Sequence, residues 1–449
     1  MKTPNILTSF RQSHLNGVVN LENGLPGDKS ISHRALIFGA LAEGTTEITG
    51  LNTGDDVEHT EFALKNLGVD IVQKTKTTRL IQGVKDWHFK EPINPLYLGN
   101  SGTTARLLSG LVASTSFNVS LYGDTSLSQR PMRRIMIPLQ EFGCKFEATP
   151  ENTLPITVKG SPNLKPIDYV IPVPSSQVKS AIMLAAMNTK GISRIIEPIK
   201  TRDHTERMME YLDYPIQYER LESGHTQIDI KGKHVFKAKN FSIPGDPSAA
   251  AYIAVAAMIC PYSNVRIEGI SWNPLRCRVF EVLKEIGGNI SIQNIRYECN
   301  EPVADIEVST SYTKPCILNS KDVPALIDEY PILSVAAAFS EGTSVFHGLR
   351  ELRYKESDRL NALYHNLNIC GIETQIQDES LVINGIGPKP IFGGKTINAG
   401  KDHRIAMAFY IMGLSARNPL IIHGADCIHS SFPAFQSIFD SLSYLKAAS

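Results

Sequence analysis

Hydrophobic residues along the chain fall into long apolar segments that begin with polar or small residues, and this arrangement recurs six times. In each copy the apolar segment stops at a turn and a short β-branched stretch follows, which is typical of a helix that leads into a strand. The first copy reads KSISHRALIFGALAEGTTEITGL, and the fourth reads DPSAAAYIAVAAMICPYSNVRIEGI. The copies start about 70–80 residues apart, which is the size of a small α/β unit rather than of a solenoid repeat.

A second helix is predicted after the strand of every copy. In RVFEVLKEIGGNISI, for example, Phe280, Leu283 and Ile286 recur at helical spacing, which indicates one apolar and one polar face. All but the third and the last of these segments end at a glycine, the residue best suited to the left-handed position after a helix. We expect the first helices, which are apolar nearly all round, to be buried, and the second helices to have one face in solvent.

Six such units exceed what one hydrophobic core of usual size holds. We therefore predict an α/β (α+β) fold with two similar domains of three units each. The best boundary lies near NFSIPGDPSAA, where the fourth unit begins. The predicted domains are residues 26–243 and residues 244–449, and the N-terminal strand within residues 1–25 is assigned to the second of these.

Composition excludes several classes of function. The 449 residues carry 45 basic and 45 acidic side chains, so nothing predicts a general affinity for nucleic acid or for a membrane. The longest apolar run, AAAYIAVAAMIC, is too short to span a bilayer, and the N-terminus has no apolar region of signal-peptide length. The seven cysteines are scattered without a C-x-x-C pair, which predicts reduced thiols in a cytoplasmic protein. The sequence contains no Cys/His cluster of the kind that would predict a metal site.

Cations at the starts of apolar helices need an explanation. Lys29, Arg34 and Arg404 fall in such starts, where a positive charge opposes the helix dipole at a cost of roughly 0.3–1 kcal/mol. This placement is expected when an anion binds at the helix start, because free N–H groups and the cation then act together. Helix starts of this kind that converge would form a cleft for a ligand with several negative charges. Capping is the simpler interpretation of the polar residues there, and we adopt it for Ser248.

Two acidic residues lie among these cations. Asp328 stands between apolar stretches, and Glu356 stands between Lys355 and Arg359. We expect nearby cations to lower the pKa of Asp328, which would leave a carboxylate able to act as a base. Glu356 is a candidate for carrying a proton.

At these residues the chain resembles the 5-enolpyruvylshikimate-3-phosphate synthase family. The resemblance runs in order from about Gly24 to Phe435 and rests on LPGDKSISHRA, LGNSGTTARLL, GDTSLSQRPMRR, PSSQVKSA, IDEYP, LRYKESDRL and KDHRIAM. It implies two domains, each of three β-α-β-α-β-β units around buried parallel helices (an inside-out α/β barrel), with the active site in the cleft between them. It also implies transfer of the enolpyruvyl group of phosphoenolpyruvate to the 5-hydroxyl of shikimate 3-phosphate, in a monomer without metal or organic cofactor.

The resemblance also assigns residues to the two substrates. Those expected to hold shikimate 3-phosphate are Lys29, Ser30, Arg34, Ser175, Ser176, Gln177, Arg202, Asp328 and Lys355. Those expected to hold phosphoenolpyruvate are Lys29, Asn100, Gly102, Thr103, Arg130, Gln177, Arg359, His403 and Arg404. Asp328 would take the proton of the attacking hydroxyl, and Glu356 would protonate the methylene carbon and later remove a proton as phosphate leaves. Lys29 could share either duty.

The chain departs from the family pattern at a few positions. Ser430 stands where some members carry a lysine, whose contact Lys401 could supply, and Glu351 stands where some have Asn. The subgroup associated with glyphosate tolerance tends to have Ala at the positions of Gly102 and Ser176. Because Gly102 leaves room beside the phosphoenolpyruvate site, we predict that glyphosate inhibits.

Two other functions remain as alternatives. The sister enolpyruvyl transferase that acts on UDP-N-acetylglucosamine usually places a reactive Cys in the loop that matches TSLSQRPM, where this chain has none; the nearest is Cys144. A catalytically dead binding protein on the same fold would have lost Asp328 or Glu356, and both are present.

Overall fold

The computed structural model describes residues 4–444, without the side chain of Tyr444. The helices of this part of the chain are α1 (Lys29–Leu41), α2 (Asp55–Asn66), α3 (Gly102–Val112), α4 (Arg133–Glu141), α5 (Ser176–Met187), α6 (His204–Tyr211), α7 (Pro247–Ile259), α8 (Arg278–Glu285), α9 (Val323–Leu326), α10 (Tyr330–Ala338), α11 (Arg359–Ile369), α12 (His403–Gly413) and α13 (Phe435–Tyr444). Helices lie at all the predicted positions; α9 was not predicted.

The strands alternate with these helices. They are β1 (Ile6–Ser9), β2 (Asn16–Val19), β3 (Thr45–Thr49), β4 (Asp70–Gln73), β5 (Arg79–Gln82), β6 (Leu96–Tyr97), β7 (Asn118–Tyr122), β8 (Lys145–Glu147), β9 (Ile156–Lys159), β10 (Asp168–Val170), β11 (Ile192–Glu197), β12 (Ile216–Arg220), β13 (Thr226–Lys231), β14 (Phe241–Ser242), β15 (Asn264–Ser271), β16 (Asn289–Glu298), β17 (Glu301–Ser309), β18 (Ile317–Leu318), β19 (Glu341–Phe346), β20 (Thr374–Gln377), β21 (Ser380–Ile386), β22 (Ile391–Gly393), β23 (Thr396–Asn398), β24 (Ala416–Asn418) and β25 (Leu420–His423).

The chain divides into two compact units. Unit 1 contains the residues up to Asp28, Pro244–Tyr297 and the residues from Pro302 onward, and unit 2 contains Lys29–Ile243 together with Glu298–Glu301. Each unit has its own hydrophobic core.

Unit 2 contains three four-stranded sheets of one topology, with strand orders β14-β3-β5-β4, β6-β7-β9-β8 and β10-β11-β13-β12. In each sheet the first pair is parallel and the others are antiparallel. The register of the third sheet places Ile195 opposite Ile228, and both are buried. β14, the last strand of the unit, pairs with β3, the first, so the end of the unit completes the sheet of its first repeat.

Unit 1 varies this plan because the N-terminus of the chain contributes strands to two repeats. β2 pairs in parallel with β15 in the sheet β16-β17-β15-β2, and β1 pairs antiparallel with β25 in the sheet β1-β25-β23. The middle repeat forms the sheet β18-β19-β21-β20, and β22 pairs with β24. The first repeat of this unit therefore takes β2, and its last repeat takes β1, from the N-terminus of the chain.

The first helix of each repeat is buried, as its apolar sequence predicts. In unit 2, α3 packs along α5 so closely that a Cβ on Gly110 would lie 2.2 Å from the carbonyl oxygen of Ala181, so glycine is required there. In unit 1, α7, α10 and α12 contact one another. The second helices bury one face only. After α6, Asp213 has a φ of +56° and takes the left-handed position that glycine occupies after other helices.

Candidate active site

Lys29 begins α1, and a carboxylate holds it in place. Its Nζ lies 2.8 Å from Oδ2 of Asp56, and both side chains are mostly buried. Asp56 lies in the first turn of α2, where the helix dipole favours a negative charge. The pair fixes the direction of the ammonium group. Asp56 was not predicted, because DDVEHT reads as the ordinary acidic first turn of an amphipathic helix.

Arg34 is buried and connects three helices of unit 2. Its guanidinium donates to Oγ1 of Thr205 in α6 at 2.8 Å, to Oγ of Ser180 in α5 at 2.7 Å and to the carbonyl oxygen of Ser30 in α1 at 2.9 Å. These hydroxyl and carbonyl partners orient the guanidinium. Arg34 is therefore a fixed cation next to Ser30, the other predicted ligand of this helix start.

The start of α3 brings two arginines together. Ser101 is the N-cap residue, and its hydroxyl accepts a backbone N–H. A Cβ on Gly102 would lie 3.0 Å from an Nη of Arg130 and 3.1 Å from an Nη of Arg106. Arg130 also donates to the side-chain oxygen of Asn100. Backbone N–H groups and two guanidinium groups thus surround one helix start, which is the chemistry of an anion site.

The start of α5 is joined to that of α3. Ser175 is the N-cap residue of α5, and Ser176 is the first residue of the helix. The amide of Gln177 accepts from Arg106 and donates to Oγ1 of Thr103 at 3.0 Å. The structure therefore brings together the predicted residues of these two helix starts and adds Arg106, which the sequence did not single out because it lies one turn inside an apolar helix.

In unit 1 the two predicted proton carriers contact the same guanidinium. Arg359 begins α11 and lies 3.4 Å from Oδ1 of Asp328, and it donates to Oε2 of Glu356 and, at 2.8 Å, to Oδ2 of Asp402. Lys355 lies 3.5 Å from the same oxygen of Asp328. Burial acts to lower the pKa of Arg359, but the three carboxylates outweigh burial and raise it.

Arg404, at the start of α12, contacts the residues that directly precede α10. Asp402 caps α12 by accepting the backbone N–H of Arg404 at 3.0 Å, and His403, the first residue of the helix, is buried. The Arg404 guanidinium donates to the carbonyl oxygen of Asp328 at 2.7 Å and lies 3.7 Å from Oε1 of Glu329. Arg404 thus holds the backbone of the segment that carries the predicted base.

The interpretation of Ser248 as a helix cap is wrong. Asp246 is the N-cap residue of α7, and its carboxylate accepts the backbone N–H of Ser248 at 2.8 Å. The Ser248 hydroxyl donates instead to Glu329 and accepts from Arg276 at 3.1 Å. Pro247 explains the difference: it takes the first helical position, so the cap falls at Asp246, two residues before Ser248.

The remaining predicted positions lie in loops and turns. Arg202 is half-buried between β11 and α6, and Glu351 lies in the short 3₁₀ turn Leu349–Tyr354. Lys401 is exposed in the turn before α12, and Ser430 ends the 3₁₀ turn Ala425–Ser430. The assignment of these and the other site residues to substrates stays a prediction.

In the part of the chain that the structure describes, no group of three His, Cys, Asp or Glu residues could hold a metal ion, and no helix is long and apolar enough to cross a membrane. Cys144, the nearest cysteine to the loop in which the sister transferase carries its reactive thiol, is buried after α4. Burial raises the pKa of this thiol to about 12, so it is not a reactive nucleophile.

Comparison with known proteins gives a consistent result. The family described as EPSP synthase (3-phosphoshikimate 1-carboxyvinyltransferase) matches residues 11–439. A 3-phosphoshikimate 1-carboxyvinyltransferase of Gluconobacter oxydans is 43% identical over 93% of this chain and 94% of its own length. That of Rhodospirillum rubrum is 41% identical over 98% and 97%.

Solved structures agree with the sequence comparison. An EPSP synthase from Acinetobacter baumannii superposes with a TM-score of 0.84 at 38% identity, covering 98% of both chains. The enolpyruvyl transferase NikO from Streptomyces tendae reaches a TM-score of 0.74 at 14% identity over 97% of both chains, which shows a shared fold. The predicted two-domain α/β fold class is confirmed.

Proposed function

Because this chain belongs to the EPSP synthase family, we propose that it transfers the enolpyruvyl group of phosphoenolpyruvate to the 5-hydroxyl of shikimate 3-phosphate and releases phosphate. The predicted family and enzyme class are confirmed by relatives that match over more than nine-tenths of both chains. The observation that carries the proposal is the pair of carboxylates, Asp328 and Glu356, held by one guanidinium. The UDP-N-acetylglucosamine alternative has no observation in its favour.

Both substrates carry a phosphate and a carboxylate, so the proposed ligands are polyanions that match the cationic helix starts. We assign shikimate 3-phosphate to the residues around Arg34 and the start of α5, with Arg202 and Lys355. We assign phosphoenolpyruvate to Lys29, the start of α3 with Arg130, and Arg359 with Arg404. The two units would correspond to the two domains of the family.

The proposed reaction needs three proton transfers in sequence. A proton from Glu356 to the methylene carbon of phosphoenolpyruvate leaves positive charge on the adjacent carbon, and Asp328 accepts the proton of the 5-hydroxyl as its oxygen attacks that carbon. The tetrahedral intermediate then loses phosphate while Glu356 removes a proton from the new methyl group, which restores the double bond. The cations stabilise the carboxylate and the departing phosphate.

The cellular setting and assembly are also proposals. All seven cysteines are unpaired in the structure, which supports a reducing, cytoplasmic location. A monomer with no metal or organic cofactor stays the expectation, and light scattering during size-exclusion chromatography tests the oligomeric state.

The test of the proposed function is phosphate release from phosphoenolpyruvate in the presence and absence of shikimate 3-phosphate. We expect release that depends on both substrates and one new enolpyruvyl ether per phosphate, detected by mass spectrometry. Asp328→Asn should lower the rate about 10²–10⁴-fold, the usual contribution of a general base. No release from the unaltered protein would refute the proposal.

A further inference from the structure

A buried cation that the proposed reaction does not use lies behind Arg404 in unit 1. This cation is Arg276, whose side chain is 2% exposed in the segment between β15 and α8. One Nη lies 3.5 Å from Oδ2 of Asp28 and 3.3 Å from Oδ1 of Asp246. Burial acts to lower the pKa of Arg276, but the surrounding carboxylates outweigh it and raise the pKa. Arg276 is therefore the counter-ion of two buried acids.

Arg276 also shares a hydrogen-bond network with Arg404. The same Nη donates to Oγ of Ser248 at 3.1 Å, and an Nη of Arg404 lies 3.5 Å from that oxygen. The Ser248 hydroxyl donates to Oε1 of Glu329, which also lies 3.7 Å from Arg404. The two guanidinium groups thus meet at one hydroxyl and one carboxylate that is 1% exposed.

The carboxylates around Arg276 determine how it affects the position of Arg404. Asp28, Asp246 and Glu329 are three buried carboxylates, and a buried carboxylate that loses its cation attracts the nearest remaining one strongly. If Arg276 were absent, Arg404 would be drawn toward these acids and away from the carbonyl oxygen of Asp328. Arg404 would then pair with a carboxylate of the protein rather than with a bound anion.

We propose that Arg276 is a positioning residue for phosphoenolpyruvate binding: it neutralises Asp28 and Asp246 and, through Ser248, holds Arg404 in the direction of the ligand. This inference rests on the proposed function and on the assignment of Arg404 to phosphoenolpyruvate. Arg276 lies in neither a helix start nor a charged motif, so the sequence alone does not indicate this role.

Two variants test the proposal by steady-state phosphate release. Ser248→Ala removes the shared hydroxyl with little change of volume and should raise the KM for phosphoenolpyruvate about three- to tenfold, the range expected for one hydrogen bond. Arg276→Lys keeps the charge but loses the planar fork that contacts both acids and Ser248, and it should raise the same KM about 5–20-fold. In both variants the KM for shikimate 3-phosphate should stay within about twofold.

Arg79→Lys is the matched control, since Arg79 is a buried arginine of unit 2 that is paired with Glu61 at 2.7 Å. It should leave the ratio of the two KM values unchanged. An unchanged KM for phosphoenolpyruvate in Ser248→Ala, or an equal rise of both KM values in Ser248→Ala and Arg276→Lys, would overturn the inference. If Arg276→Lys does not fold, Ser248→Ala decides alone. An unaltered protein that releases no phosphate would instead refute the proposed function.

Discussion

The cations of the two units have different partners. In unit 2, Arg34 and Arg130 donate to hydroxyl, amide and carbonyl groups. In unit 1, Arg276, Arg359 and Arg404 each lie within 4 Å of at least one carboxylate. Neutral partners orient a guanidinium, whereas a carboxylate partner also offsets its charge inside the protein. Lys29 of unit 2, which is paired with Asp56, is of the second kind.

This difference suggests that the cations of the two units have different roles. The cations of unit 2 are suited to holding the anionic groups of the substrates. Those of unit 1 hold the carboxylates, among them Asp328 and Glu356, in fixed positions for proton transfer. Substitutions in unit 1 should therefore act mainly on kcat, and substitutions in unit 2 mainly on KM. The exceptions are Arg404 with its supporting residue Arg276, and Arg359 and Lys355, which we also assign to binding.

The largest expected effect is that of Glu356→Gln in unit 1. The amide keeps the size of the side chain and a contact with Arg359 but cannot carry a proton, so kcat should fall about 10²–10⁴-fold. Both KM values should stay within about threefold in the phosphate-release assay. Glu379→Gln, a more exposed glutamate of the same unit paired with Arg350, is the control and should retain full activity. A variant with normal kcat and raised KM would contradict the proposed difference in roles.

The next effect is that of Arg130→Gln in unit 2. Loss of a charge-assisted hydrogen bond to an anion costs about 1.5–3 kcal/mol, so the KM for phosphoenolpyruvate should rise about 10–100-fold while kcat changes less than about fivefold. Arg133→Gln, at an exposed position at the start of α4, controls for the loss of a positive charge nearby. A fall in kcat without a change in KM would contradict the assignment.

The sequence predicted the repeats, the buried helices and most residues at the helix starts, because hydrophobic period and polar helix starts are local patterns. It could not predict partners that only the fold brings close. Asp56 and Arg276 lie in segments without an unusual local pattern, and their significance comes from Lys29 and Ser248, which are 27 and 28 residues away. The sequence did indicate Asp328 and Glu356 among these cations, but it could not show that Asp402 contacts the same guanidinium of Arg359.

Gly102 offers a smaller test on the unit 2 side. In Gly102→Ala the new methyl group would lie close to the guanidinium ends of Arg106 and Arg130, which must shift by a few tenths of an ångström. Crowding of this kind costs about 1–2 kcal/mol, so the KM for phosphoenolpyruvate should rise about 5–30-fold. Glyphosate, which is itself anionic, should inhibit the unaltered protein at low phosphoenolpyruvate, and Gly102→Ala should need more of it.

Ser109→Ala is the matched control, because it also changes one small side chain inside α3. The Ser109 hydroxyl donates to the carbonyl oxygen of Ala105. The variant should leave both the KM for phosphoenolpyruvate and the inhibition by glyphosate unchanged. Activity of the unaltered protein that is indifferent to millimolar glyphosate would show that the space beside Gly102 is not the binding site for this anion.

The smallest expected effect is that of His33→Gln on the pH dependence of stability. His33 in α1 is fully buried, with Nδ1 2.7 Å from Oγ1 of Thr60. Burial, and then the charges of Lys29 and Arg34, lower the pKa of His33 well below 6.5. The folded protein therefore keeps this ring neutral, while the unfolded chain gains a proton as the pH falls below about 6.5. Stability is present above that pH and is lost at about 1.4 kcal/mol per pH unit below it.

Between pH 7.5 and 5.5, the midpoint of thermal unfolding should therefore fall about 2–4 °C further in the unaltered protein than in His33→Gln, whose amide can still reach Thr60. His365→Gln, an exposed histidine of unit 1, should behave like the unaltered protein. Burial is the larger cause of this effect, and Lys29 and Arg34 of unit 2, which we assign to the substrates, add to it by repelling a proton on His33. An equal fall in all three proteins would show that the folded protein takes up a proton on His33 in this pH range, and it would contradict the prediction.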